Sequence, residues 1–247
     1  MGMLLFNLKT YLNVEDSLKV AAELGALETE HEVLIAPQVL SLHSFSKIPI
    51  KKNTYICAQN FDYSENYGAH TGDVLIQDLK SIGCKYALVG HSEVRHRTKP
   101  RVGENDDLIS KKVNLCIENA VTPVLCFGET KGEKEADQTE KVIVRQLNSA
   151  LASLQSPSDK EIVLAYEPVW AISAAKGSES CGIDYVRKVF ELTKNTVGNK
   201  IRYRFLYGGS VNGENIRGYI DSGFVDGVLI GRAGTESESL AKIIGAL

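Results

Sequence analysis

The sequence has no cysteine pattern that indicates disulfide bonds or a metal site. Its five cysteines are odd in number and widely spaced, and no two form a C-x-x-C pair. This excludes a disulfide framework and favours a reducing compartment. The cysteines in apolar runs, Cys57, Cys116 and Cys126, are interpreted as small buried hydrophobic residues rather than metal ligands.

Long hydrophobic runs and an excess of charge of one sign are also lacking. The first apolar stretch covers only residues 3–6, which is too short for a signal peptide core or a membrane span. The formal net charge is -3, so no broad basic surface attracts nucleic acid or an anionic membrane. The one basic run, residues 96–101, has no interleaved aromatic residues to stack bases and is interpreted as a solvated loop. We therefore expect a cytoplasmic protein that binds neither nucleic acid nor membrane.

The motifs of several large enzyme classes are missing. No G-x-G-x-x-G follows the first predicted strand, which argues against an open nicotinamide-binding sheet, and no G-x-x-x-x-G-K-[ST] is present. G-x-S-x-G and H-E-x-x-H are also absent, so serine hydrolysis and zinc catalysis lack their signatures. We expect no cofactor and no metal.

What the chain does contain is a regular alternation of short apolar runs with helix-like segments, such as residues 15–27 and 141–154. Strands that alternate with helices pair in parallel, and eight such units in about 250 residues favour a closed (β/α)8 barrel over an open sheet. No linker-like tract divides the chain. We therefore predict a single α/β barrel domain over residues 1–247, with strands at 3–8, 33–36, 55–58, 86–89, 122–127, 162–165, 203–206 and 227–230.

Chemistry in such barrels lies at the carboxyl ends of the strands. Lys9 would either point inward toward an anion or lie exposed at the rim. A lone histidine such as His91 is more often structural, but at a helix N-terminus it would stay neutral and donate an N–H group. Glu167 ends an apolar run, which predicts a raised pKa suited to a general base. The alternative for Glu167 is a structural ion pair with Lys9 or an arginine.

Two glycine-containing turns follow the seventh and eighth predicted strands. The first contains Gly208, Gly209 and Ser210, and the second contains Gly231 and Arg232. Barrels commonly bind phosphate through backbone N–H groups at these two places. Either turn alone could be only a tight turn, but together they favour a phosphorylated ligand.

Eight segments resemble, in order, the signature segments of the triosephosphate isomerase family: NLK (7–9), AQN (58–60), GAHTG (68–72), VGHSE (89–93), CFGET (126–130), AYEPVWAI (165–172), YGGSV (207–211) and DGVLIG (226–231). The match spans nearly the whole chain, and the AYEPVWAI segment is close to diagnostic. The resemblance implies a cofactor-free isomerase of glycolysis and gluconeogenesis that interconverts dihydroxyacetone phosphate and D-glyceraldehyde 3-phosphate.

The resemblance also implies roles for individual residues. Glu167 would be the base that moves a proton between adjacent carbons, and neutral His91 would polarise the carbonyl and shuttle protons between the two oxygens of the enediolate. Lys9 would stabilise negative charge, and Glu93 would support Lys9 and His91. The implied substrate-binding residues are Asn7, Lys9, Ile172, Ser173, Ser210, Leu229, Gly231 and Arg232, of which Ile172 and Leu229 would form an apolar clamp that dries Glu167.

Two loops and two departures complete the comparison with the family pattern. Residues 168–176 resemble its lid, and residues 68–72 resemble the loop through which its members dimerise, with Thr71 reaching toward the partner's site. A homodimer is therefore expected.

Residues 173–175 read Ser-Ala-Ala where the family usually has Gly-Thr-Gly, and Arg232 stands where a second glycine is usual. The Arg232 guanidinium would either bind the phosphate or point to solvent or a carboxylate.

Overall fold

The computed structural model describes residues 2–154, 158–172 and 181–247. Its eight strands form a closed parallel barrel in which each strand pairs with the next, and the last pairs with the first. The predicted (β/α)8 fold is confirmed, and each predicted strand overlaps an observed one. The strands are β1 Met3–Asn7, β2 Glu32–Ala36, β3 Thr54–Ala58, β4 Cys84–Val89, β5 Thr122–Phe127, β6 Ser158–Tyr166, β7 Ile201–Tyr207 and β8 Gly227–Ile230.

Helices cover the outside of the barrel. They are α1 Val14–Gly25, α2 Val39–Phe45, α3 Ile76–Ser81, α4 Ser92–Arg95, α5 Asp106–Glu118, α6 Lys131–Glu135, α7 Thr139–Leu151, α8 Ile183–Val197, α9 Ile216–Ile220 and α10 Ser237–Gly245, with short 3-10 turns at Val169–Ala171 and Arg232–Gly234. The predicted helices at 15–27 and 141–154 correspond to α1 and α7, and both end earlier than predicted. Leu27 and Leu154 extend the apolar stripes because they pack on the core from beyond the helix ends.

Alternate strand residues divide between two apolar cores. One core consists of strand residues alone and fills the barrel interior, whereas the other joins the strands to the helices. The interior set includes Met3 and Leu5 on β1 and Val163 and Ala165 on β6. Every second residue of a strand faces the same side, so the next interior positions after Leu5 and Ala165 are Asn7 and Glu167. The pleat of the strands alone therefore directs these two polar side chains toward the carboxyl end of the barrel interior.

Glycines on the neighbouring strands leave room for Glu167. A Cβ atom at Gly128 would overlap the carbonyl oxygen of Glu167, and one at Gly208 would lie 3.0 Å from its Cγ atom. Both glycines stand two residues beyond an interior residue, Cys126 on β5 and Leu206 on β7. Gly128 thus leaves room for the main chain of Glu167, and Gly208 leaves room for its side chain.

All five cysteines are free and buried, which confirms the interpretation of Cys57, Cys116 and Cys126 as buried hydrophobic residues. Within the described ranges, no helix combines the length and the apolar character needed to cross a membrane.

Candidate active site

His91 lies where β4 gives way to α4, and its hydrogen bonds define its tautomer. Gly90 turns the chain there with a φ of 70°, a left-handed conformation that glycine adopts without strain. His91 Nδ1 accepts the backbone N–H of Glu93 at 3.1 Å, so Nδ1 carries no proton and the ring proton lies on Nε2. Nε2 is 3.1 Å from Oε1 of Glu167. The imidazole is therefore a neutral N–H donor that points at a carboxylate.

Glu167 is 2% exposed, and hydrogen bonds hold both of its carboxylate oxygens. Oε1 accepts from His91, and Oε2 accepts the backbone N–H of Ser92 at 3.3 Å. Burial raises the pKa of Glu167, but His91, the charge of Lys9 and the Ser92 N–H together lower it by more, so that the net pKa is below the ordinary value. The raised pKa predicted from the apolar neighbours is wrong, because these three groups come from other parts of the chain.

Lys9 is held in a kinked backbone just beyond β1. Its φ is 48°, a strained conformation for a residue with a side chain. The Asn7 side chain accepts the N–H of Lys9 at 3.1 Å, and the Gln59 amide donates to the Lys9 carbonyl at 2.9 Å. The ammonium lies 2.7 Å from Oε1 of Glu93. Of the alternatives for Lys9, the structure shows the inward cation with a carboxylate partner, and that partner is Glu93 rather than Glu167.

A cavity of about 240 Å³ opens beside these groups. Its lining includes Asn7, Lys9, Gln59, Asn60, His91 and Glu93. Glu167 is not part of this lining, and its carboxylate is held by the His91 Nε2 and the Ser92 N–H.

The turn after β7 is tied to the segment that follows Glu167. The backbone N–H and the hydroxyl of Ser210 donate to the carbonyl of Ala171 at 3.0 and 2.6 Å. Ala171 ends the short 3-10 turn after Glu167. The loop after β6 and the loop after β7 are therefore joined at this point, close to the barrel mouth.

The turn after β8 brings glycine and arginine to the mouth on the side of Lys9. A Cβ atom at Gly231 would lie 3.9 Å from Cε of Lys9. Arg232 is exposed, and its guanidinium carbon is 5.0 Å from the centre of the Tyr11 ring. No carboxylate in the described part of the chain forms an ion pair with Arg232. Among the described residues the partner of Arg232 is therefore an aromatic ring, which the sequence did not predict, and not a carboxylate.

The remaining predicted site residues lie around Glu167 or outside the described ranges. Leu229 is 3% exposed, and a Cβ atom at Gly208 would lie 3.4 Å from its Cβ. Because the same atom would be 3.0 Å from Glu167 Cγ, Leu229 and Glu167 flank Gly208. Ile172 follows the 3-10 turn and is half-buried. Ser173 and the rest of the predicted lid, residues 173–176, lie outside the described residues.

Glu129 is a buried carboxylate to which sequence reasoning assigned no role. Its side chain accepts hydrogen bonds from Tyr166 at 3.1 Å, from the Trp170 indole at 2.8 Å and from Tyr185 at 3.1 Å. Its carbonyl accepts the N–H of Val169 at 3.0 Å. Glu129 thus anchors the turn after Glu167. Its position just beyond a predicted strand places Glu129 among the candidate site residues. Its role could not be predicted, because the aromatic donors are 37 to 56 residues away in sequence.

Comparison with known proteins is consistent with this geometry. The sequence model of the family described as triosephosphate isomerase matches residues 2–247. A triosephosphate isomerase of Aquifex aeolicus is 38% identical over 241 residues, which cover 96% of this chain and 94% of the relative. The triosephosphate isomerase of Lawsonia intracellularis is 35% identical over 245 residues, with coverage of 96% and 94%. That of Dictyoglomus thermophilum is 34% identical over 241 residues, also with coverage of 96% and 94%.

Proposed function

This chain belongs to the triosephosphate isomerase family and catalyses the interconversion of dihydroxyacetone phosphate and D-glyceraldehyde 3-phosphate, and we propose that Glu167 is the base that moves the proton. The supporting observation is the contact between Glu167 and His91, at 3.1 Å. It brings an ionised carboxylate beside a neutral N–H donor. An aldose–ketose isomerisation needs both, because a base must remove a proton from carbon while a donor stabilises the negative charge that forms on oxygen.

The proposed reaction assigns one task to each group. Glu167 removes a proton from the carbon next to the carbonyl, and the electron pair left behind forms an enediolate. The Nε2–H of His91 gives its proton to the former carbonyl oxygen, and Nε2 takes up the proton of the neighbouring hydroxyl, which becomes the new carbonyl oxygen. Glu167 returns its proton to the adjacent carbon. The Lys9 ammonium stabilises the negative charge, and Glu93 holds this ammonium in place.

We assign the substrate phosphate to the turns after β7 and β8. Gly231 would contribute a backbone N–H group, and Ser210 would contribute its own once it leaves the Ala171 carbonyl to which it now donates. Arg232 would contribute positive charge. Asn7 would help to hold the substrate, as its position on the cavity wall allows. Ser173 as a phosphate ligand and the clamp of Ile172 and Leu229 remain predictions from the resemblance.

We also propose that the protein is a homodimer of the cytoplasm. The loop at residues 68–72 is exposed, and next to it the Tyr67 side chain is 65% exposed. Val102 is 86% exposed. The support for the dimer is that an exposed loop lies where the resemblance places the family's dimerisation loop, with an exposed aromatic side chain beside it. Sedimentation of the purified chain at twice the monomer mass would support the dimer, and a monomer at micromolar concentration would contradict it.

The activity test compares Glu167→Ala and Glu167→Asp with the wild type in a coupled assay of triose phosphate turnover. Loss of the base should lower kcat by about a hundredfold to ten thousandfold, with an unchanged circular dichroism spectrum. Glu135→Ala is a control, because Glu135 is an exposed residue of α6. Near wild-type turnover by Glu167→Ala would exclude Glu167 as the base.

A further inference from the structure

Trp170, the single tryptophan of the chain, lies three residues after Glu167 and is held on several sides. Its indole N–H donates to the buried Glu129 carboxylate at 2.8 Å. The Nζ atom of Lys134 is 3.3 Å from the centre of its ring. The Tyr185 ring meets it edge-on, with centroids 5.6 Å apart and an angle of 89°. The ring therefore lies between a cation and an anion that approach it from different directions.

Lys134 is held by the structure of its own short helix. Thr130 caps α6, since its side chain accepts the N–H of Glu133 while the Glu133 carboxylate accepts the N–H of Thr130. This capping box begins at the residue directly after Glu129. One segment of six residues therefore carries both the acceptor for the indole N–H and the cation that covers the indole face.

The aromatic rings are the partners that the structure shows for the Lys134 ammonium. Apart from Trp170, it lies 5.5 Å from the centre of the Tyr185 ring. Over the described ranges, no carboxylate comes within ion-pair distance of it. A cation over an indole face is attracted by the negative face of the π-system. The carboxylate of Glu129 at the indole N–H pushes electron density toward the ring, so the two charged contacts strengthen each other.

The backbone connects this cluster to Glu167. The N–H of Glu167 donates to the carbonyl of Phe127 at 2.8 Å, and the N–H of Val169 donates to the carbonyl of Glu129 at 3.0 Å. Residues 167–169 are thus joined to residues 127–129 by their main chains. Beyond this point, the side chain of Trp170 holds the turn in place.

We propose that Lys134 is a positioning residue for the isomerisation, which keeps Trp170 docked and thereby fixes the turn that carries Glu167. This inference rests on the proposed role of Glu167 as the base. Displacement of a reacting group by about 1 Å is enough to cost about a hundredfold in rate. A residue that restrains the backbone next to the base is therefore expected to affect kcat more than KM.

The experiment measures kcat, KM and Trp170 fluorescence in the wild type, Lys134→Ala, Lys134→Arg and Lys131→Ala. Lys131 is the matched control, because it lies on the same helix with a side chain that is 75% exposed. Loss of a cation–π contact of ordinary strength predicts that Lys134→Ala lowers kcat by about threefold to thirtyfold. KM should change much less. Trp170 emission should shift to longer wavelength with stronger acrylamide quenching, because water reaches the uncovered ring face.

Lys134→Arg should restore most of kcat and of the wild-type emission, since a guanidinium also stacks on aromatic faces. Lys131→Ala should match the wild type in both. Wild-type kcat in Lys134→Ala, or failure of Lys134→Arg to restore it, would overturn the inference while the wild-type activity still supports the proposed function. If the wild type itself lacks isomerase activity, the proposed function fails, and the fluorescence of the same variants still shows whether Lys134 fixes Trp170.

Discussion

The carboxylate of Glu167 is joined to the His91 ring across 3.1 Å, while the ammonium of Lys9 is paired with Glu93. The base is therefore held by a neutral donor and a backbone N–H rather than by a salt bridge. Together with the charge of Lys9, these bonds keep the buried carboxyl group of Glu167 ionised. Because the His91 ring is neutral, Glu167 can exchange its contact with this ring for a contact with substrate, and no buried cation is then left without a partner.

The first prediction concerns the acid limb of the pH profile. Because the net pKa of Glu167 lies below its ordinary value of 4.5, protonation of Glu167 should lower kcat/KM of the wild type only below about pH 4.5. His91→Leu removes a group that lowers this pKa and leaves burial, which raises it. The variant should therefore lose activity and show an acid limb at higher pH. His91→Gln, which can still donate an N–H, should show a smaller shift, and equal limbs in all three proteins would contradict the assignment.

The second prediction is the matching effect on stability. The folded-state pKa of Glu167 is below the unfolded-state value, so the ionised group stabilises the fold above pH 4.5. That contribution is lost as the pH falls through the folded-state pKa. As the pH is lowered from 6 to 3.5, the wild type should therefore lose more free energy of unfolding than Glu167→Gln, which has no carboxyl group to protonate at this position. Urea unfolding at several pH values measures this difference, and a constant difference would refute the lowered pKa.

The third prediction tests the role of Arg232 at the barrel mouth. Its guanidinium rests on Tyr11 and forms no ion pair with the described residues, so its charge is free to act on a phosphate. Arg232→Gly should raise KM for glyceraldehyde 3-phosphate by about threefold to tenfold at low salt, and the effect should shrink as salt is added.

Arg187→Ala is the control for Arg232, because Arg187 also stacks on an aromatic ring, that of Phe224 at 4.4 Å, but lies on α8. Its KM should equal that of the wild type. If Arg232→Gly leaves KM and its salt dependence unchanged, Arg232 serves only to cover Tyr11.

The barrel could be predicted from the sequence because each strand is marked by a pattern of neighbouring residues. Short apolar runs and the positions of polar residues after them set the strands, and the alternation of β1 and β6 already directs Asn7 and Glu167 inward. Strand ends were less certain, as β6 begins four residues before its predicted start at Ile162. Hydrogen bonds rather than apolar character define those extra residues.

Properties that depend on distant residues could not be predicted in the same way. The pKa of Glu167 depends on Ser92, 75 residues away in sequence, and on His91. The contact of Arg232 with Tyr11 joins the loops after β8 and β1, which only the closure of the barrel brings together. The sequence identified the groups that take part, and the fold determined which of them meet.

The fourth prediction concerns Gly208, which provides space beside the base. An added Cβ atom would lie 3.0 Å from Cγ of Glu167 and 3.4 Å from Cβ of Leu229. The contact with Glu167 is too tight for that side chain to keep its place, whereas the contact with Leu229 is close to ordinary, so Gly208→Ala should push the carboxylate away from its bonds. We expect kcat to fall by about tenfold or more, with a loss of about 1 to 3 kcal/mol in the free energy of unfolding.

Gly218→Ala is the matched control for Gly208, because a Cβ atom at this position of α9 would meet nothing within 4 Å. Its kcat should equal that of the wild type, and alanine in place of a helical glycine should leave stability unchanged or increase it by about 0.4 to 1 kcal/mol. Kinetic assays and urea unfolding of both variants supply the comparison. If Gly208→Ala retained wild-type kcat, Glu167 could shift without loss of function, and a fixed position of the base would not be a requirement of this site.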